Sequence, residues 1–411
     1  MAIGLGAMIV AGIFALVGVA VEITGPVAYI SFILAGILAL LTAYNVAKLA
    51  IAIPNKGGKV SFLNHCYDND VFAGGLSIVT IIGYIIVNSL YARAFSEYLI
   101  AVSGFESNAL NEHLIISSVI IFFLIVNFFG ARLVGKVGLI TAIIQTVILL
   151  VFGLSGSMQA EPGYLTPNED STIANIILVS GIIFMSYEGF GLISNTASDI
   201  RKPRKNLSKA IYISILIVIA VYLLVTISVI GNLDAEQIVN SKEYVLAEAA
   251  KPIFGAHGFL IMGIAALFST ASAINATIYG PVYMLQEISE SKQLPSIVKK
   301  PLWRNKSGWA ILIYGIGILL TANLLNLETI AETGSLIFLF IYLMVNIANY
   351  KMSDFTKSKK WIIILGVIAT LFGLTSMLYF LVLEKNHSFF VFLGLLVLSF
   401  GFEWMFQRLK V

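Results

Sequence analysis

Within the apolar run IIFMSYEGFGLIS (182–194) stands one carboxylate, Glu188, flanked by Tyr187, Gly189 and Gly191. An acid at mid-membrane depth costs about 2.5–3.5 kcal/mol on insertion scales, so it needs a compensating partner or a function. Two readings stand. Glu188 is a structural carboxylate, held by free N–H groups at a helix interruption or paired with Arg93, or it binds a cationic substrate or a proton. Arg93 and Glu97 lie four residues apart in another apolar run, so they share a helix face. That spacing predicts a structural ion pair or, toward the outer end of the span, an extracellular gate. Tyr187 and Phe190 are candidates for gating or for core packing. Other chemistry is sparse. The one cysteine, Cys66, excludes an internal disulfide. His65, His113, His257 and His387 show no metal-ligand spacing, and no G-x-x-x-x-G-K-[ST] loop is present for ATP hydrolysis. No cofactor, metal or enzymatic activity is expected.

The elements that must position Glu188 follow from composition. Hydrophobic residues make up 59% of the 411 and charged residues 11%, outside the range of soluble globular chains. Uncharged apolar runs long enough to cross a bilayer predict an all-α integral membrane protein with about 12 transmembrane helices. Their ranges are roughly 2–21, 26–50, 72–101, 113–130, 135–156, 173–197, 209–231, 257–285, 309–325, 328–350, 361–383 and 388–407. No connection is long enough for a soluble domain. The longest outer loop, around 232–256, reads as one short amphipathic helix.

Charge placement predicts the orientation. If both termini and the loops after even-numbered spans face the cytoplasm, all but Arg93, Lys242, Lys251 and Lys385 of the 25 Lys and Arg fall inside. Lys56 and Lys59 then count as loop charges. The basic stretch RKPRKNLSK (201–209) reads as a topology determinant facing lipid headgroups, not as a nucleic-acid site. A plasma-membrane protein is expected, and the sequence sets no oligomeric state.

Two spans carry glycines where a helix break is expected, GLGAMIVAGIF (4–14) and MSYEGFGLIS (185–194). Either alone reads as close helix packing. Because they open successive five-span units, the pair points to a transporter built from inverted repeats. The half-helix beginning near Ala11 and Gly12 would offer N–H groups to an anion, and the one ending near Phe184 and Met185 would offer carbonyls to an ammonium. Together they suit a zwitterion such as an amino acid. Only about 14 Å of helix precedes the first break, so a missing N-terminal segment is expected.

These segments resemble the amino acid–polyamine–organocation superfamily. GAMIVAGIF resembles its first-helix signature G-x-x-I-G-[SA]-G-I-F, and FMSYEGFGLISNTASDIRKPRKNLSKAI its sixth helix and basic loop. IPNKGGKVSFLN resembles the P-x-[SA]-G-G loop, and ALFSTASAINATIYG through SESKQLP the eighth helix and its exit. The resemblance implies a leucine-transporter-like fold with helices 1 and 6 broken. The first five-helix repeat would cover 1–156, the inverted second 173–350, and two peripheral helices 361–411. It further implies substrate contacts at Met8, Ile9, Val10, Ala11, Gly12, Phe184, Met185, Ser186, Glu188 and Gly189. In some relatives Ser269 and Ser272, with the carbonyls of Gly6 and Ile9, would form a sodium site.

Three positions depart from that pattern. Val10 replaces a glycine and, being β-branched, resists unusual backbone angles. Gln145 stands where several proton-coupled relatives carry a lysine, and it does not titrate. Glu188 stands where relatives carry an apolar residue. The expected function is secondary-active transport of an amino acid or small organic amine, coupled to protons. The alternatives are sodium coupling, exchange of cationic amino acids or polyamines, and a transport-inactive amino-acid sensor.

Overall fold

The computed structural model describes residues 2–9, 12–54, 57–68, 70–129, 134–195, 197, 200, 202–303, 305 and 307–409, without the side chains of residues 2, 3 and 134–140. Val10 and Ala11, two of the expected substrate contacts, lie outside the described residues.

Apolar runs become helices because a hydrocarbon environment offers backbone N–H and C=O groups no partners but each other. The chain begins with α1 (Ala2–Ile9) and α2 (Gly12–Thr24), and a one-turn 3₁₀ helix at Gly25–Val27 leads into α3 (Ala28–Ala52). Short α4 (Lys59–Cys66) precedes α5 (Val71–Ser103), α6 (Ala109–Phe129) and α7 (Val134–Gln159). Then α8 (Ile173–Phe184) and α9 (Gly189–Ser194) flank a 3₁₀ turn at Met185–Tyr187, followed by α10 (Pro203–Asn232). Two short helices, α11 (Ala235–Asn240) and α12 (Val245–Phe254), replace the single amphipathic helix expected there. The chain turns between them, with Tyr244 N–H donating to Ser241 O at 2.8 Å. Next come α13 (Ala256–Glu290), α14 (Gly308–Leu324), α15 (Leu327–Lys351), α16 (Ser353–Thr356), α17 (Lys360–Leu383) and α18 (His387–Arg408).

Among the described residues, ten helical stretches are long and apolar enough to cross a membrane. One of them, Gly4–Ala52, runs for 49 residues from within α1 to the end of α3, and the 17-residue α14 is a shorter apolar helix. No strand occurs among the described residues. Polar residues set the ends. Asp70 accepts from Ala73 N–H at 2.9 Å to start α5, Gly104 closes it in the left-handed region at φ 71°, and Asn326 caps α15.

α5 packs against both α13 and α15, and α10 lies between α3 and α7. The most apolar window of α15 is 83% buried and that of α18 only 17%, which puts α18 at the periphery. Phe122 and Phe129 on α6 and Val397 and Leu398 on α18 present apolar side chains outward. Such faces are stable only against lipid or other protein.

Candidate functional site

The described residues on either side of Val10 and Ala11 lie against the sixth-helix interruption. A Cβ on Gly12 would sit 2.5 Å from Ser186 Cβ, and one on Gly189 would sit 2.6 Å from the Met8 nitrogen. These glycines therefore permit backbone contact between α9 and α1 and between α2 and the 3₁₀ turn, which is the packing reading of the sequence. Tyr222 of α10 ties the two together. Its buried hydroxyl lies 2.6 Å from Met8 O, to which it donates, and 3.2 Å from Ser186 O. Ser335 Oγ donates to Ile182 O at 2.5 Å.

The sixth-helix interruption is gentler than the sequence predicts. Phe184, Met185 and Glu188 keep right-handed helical angles, and the chain tightens into i→i+3 bonds, with Glu188 N–H donating to Met185 O at 3.0 Å. A tightened turn keeps buried backbone groups paired, which full unwinding would not. Of the carbonyls expected to face a substrate ammonium, Met185 O accepts from Glu188 N–H and Glu188 O from Gly191 N–H at 2.8 Å. Met8, Ile9, Gly12, Phe184, Met185, Ser186 and Gly189 are all buried, and Ser186 Oγ has no hydrogen-bond partner among the described residues.

The largest correction concerns Glu188. Its partner is neither Arg93 nor free backbone but Lys59, the first residue of α4, whose Nζ donates to Glu188 Oε1. Lys59, expected as a cytoplasmic loop charge, is fully buried, and Glu188 nearly so. Gly58 precedes it in the left-handed region at φ 53°, where glycine costs no strain, and so turns the chain into α4. The ammonium sits 4.7 Å from the ring centres of Tyr84 on α5 and Tyr342 on α15, and 4.9 Å from that of Phe338. All three distances fall within the roughly 6 Å reach of cation–π attraction. Tyr342 Oη is a further acceptor at 3.4 Å. Lys59 leaves Glu188 Oε2 unengaged, and the Tyr84 and Tyr342 hydroxyls face the carboxylate there.

The gate candidates are also redistributed. Tyr187 is fully buried and donates to Phe32 O of α3 at 2.9 Å, which anchors it in the core. Phe190 stacks on Tyr342, ring centres 5.1 Å apart at 27°. Arg93 pairs across to Glu112 of α6 and not with Glu97, and its Nε donates to Ala322 O at 3.0 Å. A guanidinium offers donors in several directions, so one helical turn of spacing to Glu97 does not decide its partner. Gln145 is buried on α7, which packs on α1, and neither amide atom has a hydrogen-bond partner among the described residues. Ser269 is buried and Ser272 half-buried on α13, which touches α1, the helix carrying Gly6 and Ile9.

Between α11 and α12, Lys242 bridges Glu22 at 3.1 Å and Glu328 at 2.6 Å. Burial pulls the Lys242 ammonium down from its ordinary value, but the two carboxylates outweigh this and leave it raised. Beside it, burial pushes the Glu243 carboxyl up, Lys242 opposes, and Glu112, Glu22 and Glu328 add to the rise.

A model of the amino acid permease family matches residues 1–400. The chain belongs to that family, within the amino acid–polyamine–organocation superfamily. It is 35% identical over 407 residues to an uncharacterized protein of Methanocaldococcus jannaschii, covering 98% of this chain and 93% of the relative. It is 28% identical to the inner membrane transport protein YbaT of Escherichia coli, covering 99% and 95%. In fold it is similar to the manganese transporter of Eremococcus coleocola, with a TM-score of 0.61, 14% identity, and 98% and 95% of the two chains covered. This member of the permease family is thus a multi-pass membrane transporter.

Lys59, Tyr84, Phe338, Tyr342 and Tyr222 were not singled out by sequence. A signal for Lys59 was present: a mid-membrane acid needs a counter-charge, and the loop IPNKGGKVSF carries a lysine directly before apolar residues. Nothing local marks the aromatic residues among 17 tyrosines and 27 phenylalanines.

Proposed function

We propose that the chain is a secondary-active transporter that moves amino acids, or small organic amines, by alternating access around the paired interruptions. The observation that carries this reading is the Tyr222 hydroxyl, which joins Met8 O of one interrupted helix to Ser186 O of the other. A single side chain holding both breaks couples the movement of one to the other, as alternating access requires. In this proposal there are twelve spans, with inverted five-helix repeats over 1–156 and 173–350 and peripheral helices over 361–411. Both termini face the cytoplasm across the plasma membrane.

Protons are the proposed coupling ion, and Glu188 the acceptor. Its Oε2, buried beside the sixth-helix interruption and not engaged by Lys59, supports that role. Gln145, which does not titrate, leaves the acid as the nearer candidate. Uptake of labelled neutral and cationic amino acids and small amines into proteoliposomes, under imposed proton or sodium gradients, tests the reading. Saturable uptake stimulated by an inward proton gradient is expected. Stimulation by sodium instead would replace the proton, and substrate-induced thermal stabilisation without flux under any gradient would make the chain a sensor.

A further inference from the structure

The surroundings of the Lys59 ammonium exceed what a structural ion pair needs. Neutralising Glu188 takes one contact, from Nζ to Oε1. Yet three aromatic faces, Tyr84, Phe338 and Tyr342, converge on the same ammonium at 4.7 to 4.9 Å. The enclosure also offers acceptors that Lys59 leaves unused. Glu188 Oε2 and Tyr84 Oη are both buried and not engaged by Lys59, and the Tyr84 and Tyr342 hydroxyls face the same carboxylate. The cage adjoins the sixth-helix interruption, because Glu188 directly follows the 3₁₀ turn. Lys59, in contrast, reaches it from α4, a short helix outside the long apolar stretches.

We propose that Glu188, Tyr84, Phe338 and Tyr342 form a binding site for a primary ammonium ion, that Lys59 fills it as an internal occupant, and that an amine ligand enters only when Lys59 leaves. Aromatic rings attract any cation through their negative faces, whereas the carboxylate adds hydrogen bonds that only an N–H-bearing cation can make. The site therefore prefers primary over quaternary ammonium. Occupation by Lys59 and by ligand are mutually exclusive, since two cations in one enclosure would repel. This inference concerns binding and stands whether or not flux is proton-coupled.

The test is thermal unfolding of the purified full chain in detergent. Lys59→Ala empties the cage and n-propylammonium, matching the atoms lost beyond Cβ, is the probe, with sodium chloride at equal ionic strength as control. The variant is expected to melt below the wild type and to regain at least about 3 °C with n-propylammonium at concentrations well above its Kd. The wild type, already filled, shifts far less. Tetramethylammonium restores less than n-propylammonium, and the gain disappears in Lys59→Ala/Glu188→Gln. Lys59→Met keeps the stem and removes the ammonium, so ammonium itself is its probe and covers the case in which Lys59→Ala does not fold. Equal shifts in wild type, single and double variants, or no shift in either single variant, would overturn the proposal.

Discussion

The hydroxyl of Tyr222 lies 2.6 Å from the carbonyl of Met8, the residue before the last of α1, while its ring packs on Tyr187 at 5.2 Å. One side chain thus senses both interruptions. Tyr222→Phe keeps the ring and removes the donor, leaving Met8 O buried and short of a partner. An unsatisfied buried polar group costs about 1–3 kcal/mol. The variant is expected to melt several degrees lower and to slow uptake while leaving the span count unchanged. Unchanged melting and transport would separate Tyr222 from the site.

Gly189 makes a second prediction that rests on geometry alone. A methyl group there would sit 2.6 Å from Met8 N and 2.8 Å from Ala7 C, both backbone, so α1 itself must move. Overpacking of this kind costs roughly 1–3 kcal/mol. Gly189→Ala should therefore destabilise the chain and impair uptake. Gly394→Ala, where an added methyl meets nothing within 4 Å, is the control and should melt at or slightly above the wild type. Equal behaviour of the two variants would mean that α1 and α9 are not packed as described.

How much of this could be read in advance divides by distance along the chain. The apolar stretches were legible because hydropathy is a local property, and so was the sixth-helix interruption, whose glycines adjoin the 3₁₀ turn; the first interruption falls at residues 10 and 11, outside the described residues. The partners were not. Lys59 and Glu188 are 129 residues apart, and Asn127, which donates to Asn275 Oδ1 at 2.7 Å, reaches across 148. Where a local rule was applied to a long-range question it failed: the four-residue spacing of Arg93 and Glu97 favoured a pair, but the guanidinium turned to Glu112 on the next helix. Charge counting failed for Lys59 in the same way, since a tally of loop lysines cannot register that one of them folds inward.

Gln145 gives a prediction of the opposite sign. Its amide is buried with neither atom hydrogen-bonded among the described residues, so the polar group carries a desolvation cost. Gln145→Leu, close in volume and apolar, should leave melting unchanged or raise it by a few degrees. Gln145→Lys puts a charge in the same place and should lower it, unless transport gains a new proton response. A clear loss of stability in Gln145→Leu would show that the amide has a partner, such as a bound ion or water.

The acidic cluster around Lys242 yields a pH dependence of definite sign. Burial raises the Glu243 carboxyl above its unfolded value, so between the two values the folded chain holds a proton that the unfolded chain has released. Stability then falls as pH rises through that window, and the penalty is complete above the folded-state value. Below the unfolded value, about 4.3, Glu243 is protonated in both states and contributes nothing. Glu243→Gln should therefore raise the melting temperature at neutral pH and leave it unchanged near pH 4. Lys242 stays charged throughout this range because Glu22 and Glu328 hold it, so it supplies no competing slope. Melting curves of wild type and Glu243→Gln from pH 4 to 8 measure the difference directly; curves that run parallel across that range would remove Glu243 from the account.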